Sequence, residues 1–294
     1  MISVVHTVMF VFIFAFGAMI GSFLNVVIYR LPKKENFVAG SSYCPRCNHK
    51  LKALDLVPIA SYLFLGRTCR YCKQAISPRY MLIEGLTGAL AILSYAAFFP
   101  PAGFLLSIDP TLVFVAGAKE VGLLSPWFPV DLPASVGALI AAVMVFTLLC
   151  VLIVVTFIDA DTMEIPNALP LWIVVLGILS FAFGSTATLP WYDHLIGAVI
   201  VSVPMLLLAF FIVGSFGMGD IKLIAAAGLL LGWQLVLVAI FTAILIGGAW
   251  GIYLLVSRKK GRKEHFAFGP ALCFGIANSI FSGQQIINWY LGFF

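Results

Sequence analysis

The chain has 294 residues, of which 62% are hydrophobic and only 10% are charged, and its mean hydropathy is +1.10. Soluble domains are about half apolar and about a quarter charged, so this composition excludes a soluble globular protein and predicts a membrane protein. The net charge of +5 is compatible with nucleic-acid binding, but the positions of the basic residues favour a membrane topology instead.

Eight apolar segments predict an all-α, polytopic bundle of membrane helices. A helix needs about 20 apolar residues to cross the hydrocarbon core of a bilayer. The predicted spans are 5–28, 81–99, 136–158, 168–184, 195–213, 221–232, 235–256 and 266–281. We therefore divide the chain into a first transmembrane helix (1–29), a cytoplasmic insert (30–80) and a membrane bundle (81–294).

The basic residues predict which side of the membrane each end of a span occupies. Ten of the 17 lie within 30–79, Lys222 follows the fifth predicted span, and five lie within 258–263. With the N-terminus outside, all of these share one side and only Lys119 lies on the other, which is the positive-inside pattern. The sequence thus predicts a multi-pass protein of the cell inner membrane, with Lys222 binding lipid headgroups or lying near the acidic residues.

The insert contains two Cys-x2-Cys pairs with 21 residues between them: Cys44, Cys47, Cys69 and Cys72. Four thiolates at this spacing can surround a zinc ion completely, which predicts a structural site with no open position for water. Two disulfides are the alternative, but they do not persist in a reducing cytoplasm. His49 is an alternative ligand.

Two acidic residues are predicted to form a hydrolytic pair. Asp159 ends the third predicted span and Asp220 follows the fifth, so both lie on the cytoplasmic side. Gly217 and Gly219 leave room before Asp220 for another backbone or a peptide to approach. Two adjacent carboxylates cannot both ionise easily, so one can act as a base and the other as an acid. Asp161 lies nearby, with helix capping as the simpler interpretation.

Other hydrolytic motifs are missing from the sequence. The four histidines are scattered, and neither His-Glu-x-x-His nor Gly-x-Ser-x-Gly occurs. This disfavours a zinc protease or a serine hydrolase. Cys150 and Cys273 lie inside apolar segments and are interpreted as core residues.

These motifs together resemble those of the bacterial prepilin peptidases, the type IV leader peptidases, over nearly the whole chain. The matching stretches are Gly21–Pro32, the two Cys pairs, Ile76–Glu84, Ile158–Asn167, Gly217–Lys222 and Phe268–Pro270. The Gly-x-Gly-Asp signature at 217–220 is short, but it is specific when it accompanies the paired cysteines and an earlier aspartate at a span end.

The resemblance implies an aspartic endopeptidase that removes the basic leader of type IV prepilins or type II pseudopilins and then methylates the new N-terminus with S-adenosylmethionine. It assigns the protease acids to Asp159 and Asp220, while the family's Asp-x-Asp variant also matches Asp161. Candidates for binding the methyl donor are Gly21, Asn25, Arg79 and Glu84, although Gly21 and Asn25 are equally typical of helix packing.

Two other functions remain open from the sequence. A transporter can also use intramembrane acids to bind protons or cations. The position of the acids at the cytoplasmic edge, and the lack of matching half-helices, favour the peptidase. A scaffold that docks partners through the insert is the third hypothesis, and substitution of Asp220 distinguishes it from an enzyme.

Overall fold

The computed structural model describes residues 2–38, 40–98, 134–183, 190–212, 216–256 and 267–293. Within these ranges the chain is helical and forms no named strand, which confirms the predicted all-α class. The helices are α1 (Ile2–Arg30), α2 (Ala60–Phe64), α3 (Pro78–Phe98), α4 (Ala134–Thr162), α5 (Ala168–Phe183), α6 (Trp191–Ile200), α7 (Ser202–Phe211), α8 (Met218–Leu231), α9 (Trp233–Val256) and α10 (Gly269–Leu291). A short 3-10 helix covers Ala53–Asp55.

Five helical stretches of the described chain are long and apolar enough to cross a membrane. They are Thr7–Arg30, Pro78–Ala97, Leu139–Thr162, Trp191–Phe211 (α6 with α7) and Trp233–Leu254. Each of the eight predicted spans overlaps a helix, but the count of eight is not confirmed. The reason is that α5 and α8 have only 16 and 14 residues, and α10 is less apolar than the five.

The described residues divide into two compact units. The first unit contains the residues up to 98 together with Val145–Cys150, and it is built on α1 packed against α3. A side chain at Gly21 would place its Cβ only 2.8 Å from the Cα of Glu84, so glycine is what lets the two helices approach this closely. Pro78 opens α3, where the missing N–H costs nothing, and the Ser77 hydroxyl accepts the N–H of Arg79.

The second unit contains the remaining described residues, and α8 lies at its centre. This helix contacts α5, α6, α7, α9 and α10. Leu223, Ile224 and Ala227 are fully buried, as expected for a helix that is apolar on all sides. The same bundle contains the C-terminal part of α4, from Val151 onward. The polar residues in the first turn of α8 therefore lie at the end of a helix whose remaining length is packed in the apolar core.

Candidate active site and metal centre

Asp159 lies in the last turn of α4 and is 95% buried, with only 5% of its surface exposed. Its Oδ2 accepts the backbone N–H of Gly269 at 2.9 Å. Gly269 is the first residue of α10, so this carboxylate occupies the N-terminal end of that helix. A side chain at Gly269 would put its Cβ 2.6 Å from Oδ2, and only glycine leaves room for the contact.

Asp220 lies in the first turn of α8, three residues after the N-cap Gly217. The Gly217 backbone N–H donates to its carboxylate, as in one half of a capping box. The other feature of this side chain is its Oδ1, which is buried and has no hydrogen-bond partner among the described residues. Buried polar atoms normally have a partner, so an orphaned carboxylate oxygen is a candidate position for a bound water or ligand.

The structure brings these two acids together, although 60 residues separate them in the chain. Their carboxylates are close enough to interact electrostatically. Within the described chain, no Lys or Arg nitrogen lies within ion-pair distance of either one. What stabilises negative charge here is backbone, because each carboxylate accepts an N–H at a helix N-terminus. Such a pair can exchange protons with a bound water, which is the chemistry of aspartic hydrolases.

Apart from Gly217, which caps Asp220, the other residues predicted around the pair do not contact either carboxylate in the described chain. Asp161 is exposed at the end of α4. The space at Gly219 is taken by Ile165, whose Cβ would lie 2.9 Å from an added Cβ, so the α4–α5 connection is the backbone that approaches here. Lys222 donates to the Asn167 side chain at 2.9 Å and so ties α8 to the same connection.

Three residues near the pair were not predicted as part of the site: Gly269, Cys273 and Thr156. Gly269 lies within a matching motif, but nothing in the sequence indicates that it contacts Asp159. Cys273 was interpreted as a core residue. It is indeed buried, but it lies near both carboxylates and hydrogen-bonds with Thr156. All three come from α4 and α10, and a sequence pattern contains no information about which helices are neighbours.

The four predicted cysteine ligands come together in the insert of the first unit. Their Sγ atoms all lie within 4.8 Å of one another, and those of Cys44 and Cys72 are 3.9 Å apart. Thiolates around one zinc ion at about 2.3 Å are separated by about 3.8 Å, so the cluster has the size of a metal site. It is compatible with a structural metal ion, and none of its four cysteines forms a disulfide.

Each Cys pair lies in the same kind of turn. The N–H of Cys44 donates to the carbonyl of His49, and the N–H of Cys69 donates to that of Gln74, five residues on in both cases. Single antiparallel bridges flank the two turns, at Tyr43–Lys50 and Thr68–Ala75. The two halves of the cluster are therefore built alike, and the carbonyl of His49 is used in the turn.

Hydrogen bonds favour the negatively charged form of two groups in the insert, Cys44 and Asp55. Burial raises the pKa of the Cys44 thiol, but the backbone N–H groups of Cys47 and Arg46 outweigh this effect and lower it to about 7. Asp55 lies beside the cluster and is also partly desolvated. Its pKa is nevertheless held below its usual range, because Arg70, Tyr71 and a backbone N–H donate to the carboxylate.

The four candidates for methyl-donor binding do not share one environment. Asn25 and Glu84 line a cavity of about 400 Å³ within the first unit. Arg79 is not part of its lining, and neither is Gly21, whose close contact with α3 agrees with the helix-packing alternative.

The fold and these residues define a multi-pass membrane protein with a pair of neighbouring carboxylates, one buried and one half-buried, and a tetracysteine cluster. Two family models match the chain: the bacterial peptidase A24 N-terminal domain over residues 15–98, and the type IV leader peptidase family over residues 146–252. The first match contains all four clustered cysteines, and the second contains both acids.

Curated relatives that match over nearly their whole length share one name. The prepilin leader peptidase/N-methyltransferase of Aeromonas salmonicida is 32% identical, with 96% of this chain and 94% of the relative covered. Proteins of that name from Pseudomonas aeruginosa (32%; 94% and 91% covered) and Bacillus subtilis (28%; 95% and 96% covered) are also similar. No solved structure matches. The chain belongs to the type IV leader peptidase family, which confirms the resemblance and leaves the transporter alternative without support.

Proposed function

We propose that this chain removes the leader peptide from prepilins or type II pseudopilins at the cytoplasmic face of the inner membrane, and then methylates the new N-terminal amine. The names of the relatives, prepilin leader peptidase/N-methyltransferase, support both activities. The observation that carries the protease half is the pair of neighbouring carboxylates, buried Asp159 and half-buried Asp220, the second of which has a buried oxygen without a partner in the described chain. The membrane helices support a substrate that is itself anchored in the bilayer.

In the proposed mechanism, Asp159 and Asp220 share the work of a general base and a general acid. One carboxylate accepts a proton from a water molecule bound at the pair, and the water oxygen attacks the carbonyl carbon of the scissile peptide bond. The protonated partner donates to the carbonyl oxygen. The C–N bond then breaks, the leaving nitrogen takes up a proton, and the products are a carboxylate and a free amine. The unpartnered Oδ1 of Asp220 is the natural place for this water.

Asp159 is preferred to Asp161 as the first acid. Its carboxylate is buried, held by Gly269 and adjacent to Asp220, whereas Asp161 is exposed. A water molecule that is activated by two carboxylates needs both within hydrogen-bond reach. The geometry supports only Asp159 for this role.

The tetracysteine cluster is proposed to hold one structural zinc ion on Cys44, Cys47, Cys69 and Cys72. Four protein ligands leave no position for a substrate water, so the ion supports the shape of the insert and is not routed into the hydrolysis. S-adenosylmethionine is the proposed methyl donor, and when bound it would supply an electrophilic methyl group on a sulfonium sulfur. The insert (30–80) is proposed to face the cytoplasm, between the first span (1–29) and the bundle (81–294).

Leader cleavage by charge-neutralised variants tests the protease assignment. Asp159→Asn and Asp220→Asn should each slow cleavage of a prepilin by at least about a hundredfold in reconstituted membranes, because general acid–base groups contribute on that scale. Asp161→Asn is the matched control, since it removes one charge at the same helix end, and it should remain close to wild type.

Normal cleavage by either of the first two variants would exclude the pair as the catalytic acids. Inactivity of Asp161→Asn, with Asp159→Asn active, would show that the first acid is Asp161. If wild type cleaves the prepilin, the chain is an enzyme even where inactive variants still assemble their partners. The scaffold hypothesis would be supported only if wild type did not cleave.

A further inference from the structure

The cavity in the first unit has the size of a small-molecule site. At about 400 Å³ it lies within the range of roughly 300 to 1,000 Å³ that is typical of ligand pockets. Its walls come from the ends of α1 and α3 and from the insert, including the cysteine turns. The acid pair Asp159 and Asp220 belongs to the other unit, and neither acid is part of the lining of this cavity.

Glu84 is the unusual residue of this cavity. It is only 8% exposed, yet within the described chain no Lys or Arg nitrogen lies within ion-pair distance of its carboxylate. Its Oε2 accepts the N–H of Ile59 at 2.7 Å, and the Ser22 side chain contributes a second hydrogen bond. A buried carboxyl group that has hydrogen bonds but no cation either holds a proton or receives a cation from outside, because an unpaired buried charge is costly.

Asn25 adds a second acceptor to the same wall. It is 8% exposed, and its amide nitrogen donates to the carbonyl oxygens of Gly21 and Tyr80. Both donor hydrogens are thereby used, while its Oδ1 accepts no hydrogen bond within the described chain. Glu84 and Asn25 therefore offer the cavity acceptor oxygens.

The backbone that holds Glu84 is strained. Ile59 has φ +60° and ψ −51°, and the N–H of Ala60 donates back to the carbonyl of Pro58, which makes a γ-turn of the rare, positive-φ kind. A β-branched residue seldom adopts this conformation, which costs on the order of 1–3 kcal/mol. The turn directs the Ile59 N–H toward Oε2 of Glu84, so the strained conformation holds the carboxylate in place.

We propose that Glu84 and Asn25 form a receptor for a primary ammonium group that enters this cavity. An ammonium ion is a compact charge with three donors, which suits one carboxylate and one amide oxygen. A guanidinium group would need both carboxylate oxygens side by side, and Oε2 is already occupied by Ile59. A metal ion would need more ligands, and the cysteine cluster is the only group of three or more metal-binding side chains in the described chain.

The inference rests on the proposed methyltransferase function for the source of the amine. Two reactants of that step carry a primary amine: the freshly cleaved N-terminus, and the methionine part of the methyl donor. The chemistry of recognition is the same for both. Three arginines also line the cavity. Arg30 donates to the carbonyls of Asn36 and Ser41, Arg70 pairs with Asp55 at 2.6 Å, and Arg46 is exposed.

Binding measurements on the full-length protein in lipid nanodiscs test the receptor. The probes are a peptide with a mature pilin-like N-terminus and a free α-amine, the same peptide N-acetylated, S-adenosylmethionine, and its analogue without the α-amino group. Wild type should bind at least one amine probe more tightly than its amine-free counterpart. Glu84→Gln keeps an acceptor for Ile59 and should weaken that probe roughly 10- to 100-fold, the loss expected for one charge-assisted hydrogen bond.

Two further variants complete the design. Glu35→Gln removes an exposed charge from the same unit and should leave all affinities unchanged. Glu84→Asp keeps the charge but withdraws it by one methylene, and should give a smaller loss than Glu84→Gln. Leader cleavage in each preparation shows that the second unit is folded, and thermal unfolding of each variant against wild type checks the first unit.

The four probes distinguish the two possible sources of the amine, the cleaved N-terminus and the methyl donor. They also test the receptor separately from the proposed function. Loss confined to the free-amine peptide identifies the cleaved N-terminus, and loss confined to S-adenosylmethionine identifies the methyl donor. Two results overturn the receptor even if wild type cleaves and methylates. One is that wild type and Glu84→Gln bind both amine probes equally well, and the other is that wild type shows no preference for an amine probe over its amine-free counterpart. Amine-selective binding that depends on Glu84, in a wild type that does not methylate, supports the receptor while refuting the proposed methylation.

Discussion

Replacement of Gly269 by alanine should slow leader cleavage without changing either acid. The added Cβ would lie 2.6 Å from Oδ2 of Asp159 and 2.9 Å from its Cγ, whereas ordinary contact begins near 3.4 Å. The carboxylate must therefore retreat by about 0.8 Å, and its 2.9 Å hydrogen bond to the Gly269 N–H would lengthen beyond hydrogen-bonding distance. A displacement of about 1 Å can cost about a hundredfold in rate, so we expect leader cleavage to fall by at least tenfold and up to that amount.

The assay is cleavage of a reconstituted prepilin, followed by mass spectrometry of the released leader. Gly248→Ala is the matched control, because no atom lies within 4 Å of a Cβ added there in the same unit, and it should cleave as wild type does. Thermal unfolding in detergent should show both variants folded. Full activity of Gly269→Ala would refute the argument that this backbone N–H positions Asp159.

Two further predictions concern the metal and the topology. Elemental analysis should find about one zinc per chain in wild type and close to none in a Cys44→Ser, Cys72→Ser double variant. A closed site that loses two of its four ligands cannot retain the ion. Unchanged zinc content would show that the ligands lie elsewhere. Single cysteines introduced at the exposed positions Met163 and Met218 should react with an impermeant reagent from the cytoplasmic side, and one at Trp191 from the opposite side, as located by peptide mapping against the parent chain. Labelling of 163 and 218 from opposite sides would contradict a shared site for the two acids.

The sequence was sufficient to select candidate acids and candidate metal ligands. A carboxylate next to an apolar helix is costly and therefore conspicuous, which is why Asp159 and Asp220 could be selected from twelve acidic residues. The spacing of two Cys pairs is equally specific, because few arrangements other than a metal site use it. The all-α class followed from composition, whereas the number of spans did not, since short helices such as α8 are apolar enough to be buried in protein as well as in lipid.

What the sequence could not supply was the partner of each side chain. Asp159 is held by Gly269, which is 110 residues away, and Glu84 is held by Ile59 in a strained turn that no local pattern indicates. Hydropathy and spacing describe one element at a time, whereas these contacts depend on which helices pack together and at what distance. The sequence by itself thus determined the class of protein and the groups available for chemistry. Only the tertiary structure decided which acids meet, which oxygen lacks a partner and which cavity contains a buried charge, because each of these depends on contacts between residues distant in the chain.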